Sequence, residues 1–214
     1  MVDFETRPNY KIINKIGNGA FGSVYKILDT KDNKIYALKK IELDKELEKN
    51  ISMIENESNI LKSIDNQNIV KYYDCFREKD SYNILMEFCV YKDLSSLIEK
   101  HKQKKELISE NVIRAIVREL CNALKAIHSK NVIHRDLKPE NIFISDDYKI
   151  KIGDFGISKI LDGTSYAQTM SGTFLYMAPE IIKGIKYNNK IDIWSLGCII
   201  YEICTFKNVL MLII

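Results

Sequence analysis

The chain has 214 residues, of which 46% are hydrophobic and 29% charged, and its formal net charge is +3. These values are ordinary for a soluble globular protein and allow one large domain or two small lobes. The charge is too small to argue for a nucleic-acid partner. The five cysteines, Cys75, Cys89, Cys121, Cys198 and Cys204, show no metal-ligand or redox spacing. They suit a reducing, cytoplasmic setting and read as buried small apolar residues. The N-terminus is short and polar, with Asp3 and Glu5, which speaks against a signal peptide.

In chain order, Tyr10 to Gly17, Ser23 to Leu28 and Lys34 to Lys40 read as strands. They are short β-branched or aromatic runs broken by glycine or by Asp29-Thr30-Lys31-Asp32-Asn33. A charged helical stretch follows from about Asp44 to Ile64. Val70 to Phe76 and Tyr82 to Phe88 are two more strands. Five strands and one helix make a small N-terminal lobe, residues 1–87. From Leu94 the pattern turns helical. The basic stretch Lys100 to Lys105 reads as a solvated helix end or loop. Ser109 is an N-cap for a helix on which Val112, Ile113, Ile116, Val117, Leu120, Leu124 and Ile127 recur at helical spacing. Ile191 to Cys204 is apolar nearly all round and reads as a helix buried at the centre of a second lobe. Asp192, Glu202 and Lys207 argue against a membrane span there. The expected fold class is α+β, in two lobes meeting near residues 87–93.

Gly17-Asn18-Gly19-Ala20-Phe21-Gly22-Ser23-Val24 fits G-x-G-x-x-G-x-V. Glycines let a backbone approach phosphates closely and offer N–H groups to them. A dinucleotide-binding loop would open a helix, whereas this one joins two strands. On the next strand Ala37 precedes Lys39, which would grip the α and β phosphates of ATP. Its orienting acid is expected on the following helix, with Glu57 preferred and Glu55 the fallback. The backbone of Glu87 and Cys89 would bond the adenine edge, with Met86 behind it and Asp93 reaching the ribose.

His134-Arg135-Asp136-Leu137-Lys138-Pro139-Glu140-Asn141 and Asp154-Phe155-Gly156 supply the chemistry. Phosphoryl transfer is mostly positioning and charge neutralisation, so it needs a base, a cation and metal-holding oxygens together. Asp136 is the expected base, Lys138 the cation at the γ-phosphate, and Asn141 and Asp154 the ligands of Mg²⁺. His134 and Phe155 are expected to pack, with His134 bracing the loop.

With these residues the chain resembles eukaryotic protein kinases from about Tyr10 to Thr205. Lys138-Pro139-Glu140 has the serine/threonine form. Gly172-Thr173 and Ala178-Pro179-Glu180 resemble the end of an activation segment, which small-molecule kinases lack. Within that family it is most similar to the NIMA-related kinases, through Lys151 to Lys159, Thr164 to Thr169 and Tyr187 to Gly197. Phe174-Leu175 departs from the usual Pro-Tyr of that group. The resemblance implies a five-stranded antiparallel N-lobe sheet with one helix and a mainly helical C-lobe. It also implies a protein serine/threonine kinase using ATP with Mg²⁺, or Mn²⁺ in its place, with the nucleus or cytoskeleton as further locations. Thr169 is then the expected activating phosphosite, paired by Arg135 and Lys159. Thr173 shapes the acceptor pocket, Asp192 braces the catalytic-loop backbone, and Ile157 leans the preference toward Thr acceptors.

After Thr205 the resemblance dissolves, where family members continue into further helices. The chain is therefore expected to be a C-terminally truncated kinase domain whose second lobe, 88–214, lacks its last helices. The alternative reading is a non-catalytic fragment that binds nucleotide or a partner.

Overall fold

In a computed structural model of the chain, β2 (Gly22–Asp29) and β3 (Ile35–Glu42) pair antiparallel and lie inside a sheet, with β3 at its centre. The structure describes residues 9–19, 22–49, 51–155 and 173–209. These residues divide into two units. One comprises the described residues up to Asp65 together with Lys71–Phe88, and the other comprises Asn66–Val70 with those from Cys89 onward.

In the first unit β1 (Tyr10–Gly19), β4 (Tyr72–Glu78) and β5 (Ser81–Glu87) complete a five-stranded sheet in the order β1-β2-β3-β5-β4. Every pairing in it is antiparallel. Side chains alternate between faces, so directly opposed residues share a face. One face carries Ile27, Leu38, Phe76 and Leu85 as a core cluster, flanked by Tyr10, Tyr25 and Tyr36. Helical residues follow β3 as α1 (Lys45–Lys49) and α2 (Ile51–Lys62), with Asn50 outside the described residues. On α2, Ile54, Ser58 and Leu61 are buried at helical spacing.

The expected strand from Val70 begins later, at Tyr72. Val70 is drawn to the second unit instead. Its N–H donates to the Ile152 carbonyl at 2.9 Å, and Ile69 bridges Ile152 in parallel.

The second unit is mainly helical but also holds a three-stranded antiparallel sheet that the sequence reading did not anticipate. Its strands are β6 (Tyr91–Asp93), β7 (Ile142–Ile144) and β8 (Ile150–Ile152). Each has three residues, too few for a periodic signal. Helix α3 (Leu94–Lys104) ends at Lys105 in the left-handed conformation, φ 56°, so the basic run is a solvated helix end. Helix α4 (Glu110–His128) buries Ile116, Leu120, Ala123, Leu124 and Ile127. Ser109 is its N-cap residue, without a side-chain capping bond. The stripe starts later than expected, since Val112 is exposed.

After the short α5 (Pro179–Ile182) comes α6 (Lys190–Thr205), which buries Ile191, Asp192, Ser195, Leu196, Cys198, Ile199 and Ile203. Ile193 and Trp194 are exposed, so the helix is buried on one face among the described residues rather than all round. The expectation of buried cysteines holds for Cys198 alone. Cys121 and Cys204 are exposed because they lie off the buried faces of α4 and α6, and Cys75 and Cys89 are half-buried, Cys89 between β5 and β6. No helix among the described residues is long and apolar enough to cross a membrane.

Candidate active site

In the first unit, strand register gathers the nucleotide-binding candidates. Val24 opposes Gly17 on one side and Lys39 on the other, and Lys39 in turn opposes Ile84. Ala37 opposes Met86 two residues along. Val24, Ala37, Lys39 and Met86 therefore share one face, the reverse of the Leu38–Leu85 core. Asn18 opposes Ser23 and Gly19 opposes Gly22 across the loop, while Ala20 and Phe21 lie outside the described residues.

Two glycines differ in what they do. A Cβ on Gly22 would stand 2.0 Å from the Lys40 carbonyl oxygen, so β3 itself forbids a side chain there. A Cβ on Gly17 would meet only Val24, at an ordinary 3.6 Å. Nothing inside the sheet demands a glycine at Gly17, which fits a position kept bare for a ligand.

Glu57 lies three residues after Ile54 and four before Leu61, so it shares the inward stripe of α2 and is half-buried. Glu87 commits its N–H to the Lys71 carbonyl at 2.8 Å, so that N–H is engaged within the sheet's own unit. Asp93, at the end of β6, accepts the Ser96 N–H at 2.8 Å and so caps α3. Cys89 is half-buried at the start of the second unit's chain.

The catalytic candidates lie together in the second unit. Lys138 Nζ is 3.3 Å from Asp136 Oδ2. Asn141 Nδ2 donates to Asp136 Oδ2 at 3.1 Å and to the Asp136 carbonyl at 2.8 Å. Both of these bonds use the amide nitrogen of Asn141, and its Oδ1 can only accept or ligate. The Asn141 carbonyl accepts the N–H of Gly153 at 3.0 Å, next to Asp154. An amide oxygen and a carboxylate are hard donors of the kind Mg²⁺ takes. Among the described residues no group of three or more His, Cys, Asp or Glu is placed to hold a metal. Mg²⁺ is commonly held by one or two protein oxygens and completes its shell with water or substrate oxygens, so the types of these two donors fit that ion.

His134 is fully buried and ties these loops. Its Nε2 lies 3.1 Å from the Gly153 carbonyl, and its Nδ1 accepts the Asp136 N–H at 3.3 Å. A carbonyl can only accept, so Nε2 carries the proton and the ring is neutral. Burial holds its pKa below the ordinary histidine value. Phe155 covers the ring at 4.7 Å between centroids.

Two residues of the site are left-handed without being glycine, Arg135 at φ 65° and Asp154 at φ 53°. Such conformations persist where surrounding bonds over-determine them. For Arg135 the bonds come from Asp192, which is 1% exposed. Asp192 Oδ1 accepts the Arg135 N–H at 3.1 Å, and Oδ2 accepts the His134 N–H at 2.9 Å. Burial alone would raise the Asp192 pKa, but hydrogen bonds from His128, His134 and Arg135 outweigh it and hold the pKa below the usual value. This is the brace expected of Asp192. Asp136 also lines a concavity with Leu137, Tyr176, Met177 and Ile181.

A protein kinase domain model matches residues 10–212. The chain belongs to the protein kinase family. The matched stretch of this kinase domain runs past Thr205, where the quoted motifs stop. It is 42% identical over 203 residues to a probable serine/threonine-protein kinase nek2 of Dictyostelium discoideum, covering 92% of this chain and 49% of that one. It is 38% identical to the serine/threonine-protein kinase Nek2 of Homo sapiens, covering 92% and 46%. It is 36% identical to the G2-specific protein kinase fin1 of Schizosaccharomyces pombe, covering 91% and 30%. The kinase domain thus spans half or less of the length of these relatives. The Nek names of the first two agree with the NIMA-related resemblance of the sequence.

Thr169, Lys159 and Ile157 lie outside the described residues, as does the side chain of Thr173. The sequence reading missed Gly153, although a glycine inside a strand pattern signals close approach. A Cβ there would stand 2.6 Å from Val70 Cγ2 and 3.1 Å from Phe143 Cε2. It also missed the hydrogen bond from the Tyr176 hydroxyl to Glu202 Oε2 at 2.5 Å, which no local pattern reveals.

Proposed function

We propose that this kinase domain transfers the γ-phosphate of ATP to serine or threonine hydroxyls of a protein. The observation that carries the reading is the constellation of Asp136, Lys138 and Asn141 on one loop, with Asp154 beside it through Gly153. Asp136 orients the acceptor hydroxyl and takes its proton. Lys138, beside Asp136, neutralises charge on the transferring group. Asn141 and Asp154 hold Mg²⁺, which when bound neutralises phosphate charge. Lys39, oriented by Glu57, grips the α and β phosphates, and the bare position at Gly17 lets the loop backbone approach them. Phosphorylation of Thr169, paired by Arg135 and Lys159, orders the acceptor-binding segment. The five free cysteines support a reducing, cytoplasmic setting. Among the described residues, no observation favours the non-catalytic alternative.

The test is γ-phosphate transfer by the purified chain to a generic basic protein with ATP and Mg²⁺. Transfer by the native chain, lost in Asp154→Ala and Asp136→Asn, is the expected result. No transfer from a folded, monodisperse sample would overturn the reading.

A further inference from the structure

We propose that Tyr91 and Tyr148 are a site of oxidative cross-linking: a one-electron oxidant, of the class of a haem peroxidase supplied with hydrogen peroxide, joins their two rings into a dityrosine. The site lies wholly within the second unit and does not depend on the kinase reading.

Both side chains are open to an oxidant, Tyr91 at 42% exposure and Tyr148 at 75%. Their ring centroids are 5.0 Å apart and their planes 21° apart, a stacked pair. The Tyr91 hydroxyl donates to the Tyr148 hydroxyl oxygen at 3.2 Å. Near-parallel rings whose hydroxyls touch are stacked head to head, so the carbons ortho to each hydroxyl lie at the same end of the stack. Those carbons carry unpaired spin in a tyrosyl radical. Reacting groups held together and aligned in this way are what a bond-forming step needs.

The fold holds the pair in place. Tyr91 opposes Ile144 across β6 and β7, and Ile144 opposes Ile150 across β7 and β8. The turn between those strands is closed by the Ser145 N–H to the Lys149 carbonyl and the Tyr148 N–H to the Ser145 carbonyl, each at 3.0 Å. Tyr148 is left-handed, φ 61°, a conformation that a bulky side chain adopts at a cost. A ring left mostly in water does not recover that cost by burial. What the conformation achieves is to set the ring of Tyr148 on that of Tyr91.

The oxidant takes one electron and one proton from each phenol. The two phenoxyl radicals then form one carbon–carbon bond between ortho carbons, and the hydrogen on each coupled carbon moves to its oxygen and restores the phenol. The net loss is two hydrogens, which reduce one hydrogen peroxide to two waters. Thiol reductants leave the new bond intact.

Tyr36 and Tyr73 in the first unit are the contrasting pair. Their centroids are equally close, at 5.1 Å, but the planes meet edge to face at 77°. The Tyr36 hydroxyl donates to Asp32 Oδ2 at 2.5 Å rather than to its aromatic neighbour. Proximity without aligned phenol ends should not couple.

The test treats the dilute, folded native chain with a haem peroxidase and limiting hydrogen peroxide, under conditions that couple free tyrosine. Dityrosine fluorescence and peptide mapping by mass spectrometry read the product. One dominant intramolecular link is expected, a Tyr91 peptide joined to a Tyr148 peptide with the loss of two hydrogens. Tyr91→Phe and Tyr148→Phe keep the ring and remove the hydroxyl, so each should abolish that link, whereas Tyr73→Phe should leave it unchanged. No dityrosine in the folded native chain overturns the proposal. So does a dominant Tyr36–Tyr73 link, a signal confined to covalent dimers, or a fluorescence that survives Tyr148→Phe. Should a variant fail to fold, the native peptide map decides by itself, because it names the two residues joined.

Discussion

Gly153 donates its N–H to the carbonyl of Asn141 at 3.0 Å, and that bond closes the β7–β8 ladder just beyond the Ile142–Ile152 pair. It sets Asn141 and Asp154, residues 13 apart in number, at the same end of one small hairpin. The metal-binding candidates are thus placed by a β-ladder rather than by loop flexibility, and rigid elements hold such constellations more accurately.

Gly153→Ala should therefore act on both stability and site geometry. The new Cβ overlaps Val70 Cγ2, and overpacking of this kind costs about 1–3 kcal/mol. Because the two residues are in contact, Val70→Ala should offset part of that cost in the double variant. Urea denaturation of the four proteins checks this, and strictly additive effects would contradict the contact.

Asn141→Ala removes both a candidate metal oxygen and the two bonds that orient Asp136. Loss of a preorganised group of this kind lowers kcat by about 10²–10³. The half-saturating Mg²⁺ concentration should also rise, whereas Lys138→Ala should lower kcat with little change in that concentration. A Mg²⁺ titration of the two variants separates them.

His134 has a folded-state pKa below its unfolded value, because burial disfavours the imidazolium. The unfolded chain therefore binds the proton first as pH falls, and stability declines below about pH 6.5. Asp192 acts in a lower window. Its folded pKa is depressed, so its contribution is complete above the unfolded value of about 3.9 and lost as pH falls through the folded one. Chemical denaturation between pH 8 and 5 should show a slope that flattens in His134→Gln, while Asp192 still contributes in full.

Tyr176→Phe leaves Glu202 without its hydroxyl partner in a half-buried site. Burial already raises the Glu202 pKa, and the Tyr176 bond opposes that rise. Loss of the bond should cost about 1–3 kcal/mol near neutral pH. The cost should shrink on acidification as Glu202 takes up its proton, starting above the ordinary carboxylate value of about 4.3. A cost independent of pH would show that the hydroxyl does not serve the carboxylate.

The sequence alone carried the residues on which the proposed chemistry rests. Gly17, Lys39, Asp136, Asn141 and Asp154 were legible because phosphoryl transfer demands fixed residue types at short, ordered spacings. The five strands were legible as short β-branched or aromatic runs between turn residues, α4 by the helical spacing of its apolar residues and α6 by its apolar run, all of which are local properties. Tertiary structure decided the rest. Val70 left its expected strand because its backbone bonds go to Ile152, 82 residues away by number. The left-handed Arg135 is sustained by Asp192, and Asp192 by His128, on different helices. Gly153 is required by the side chain of Val70 rather than by anything in its own segment. Each of these depends on contacts between segments far apart in the chain, and no window of neighbouring residues contains that information.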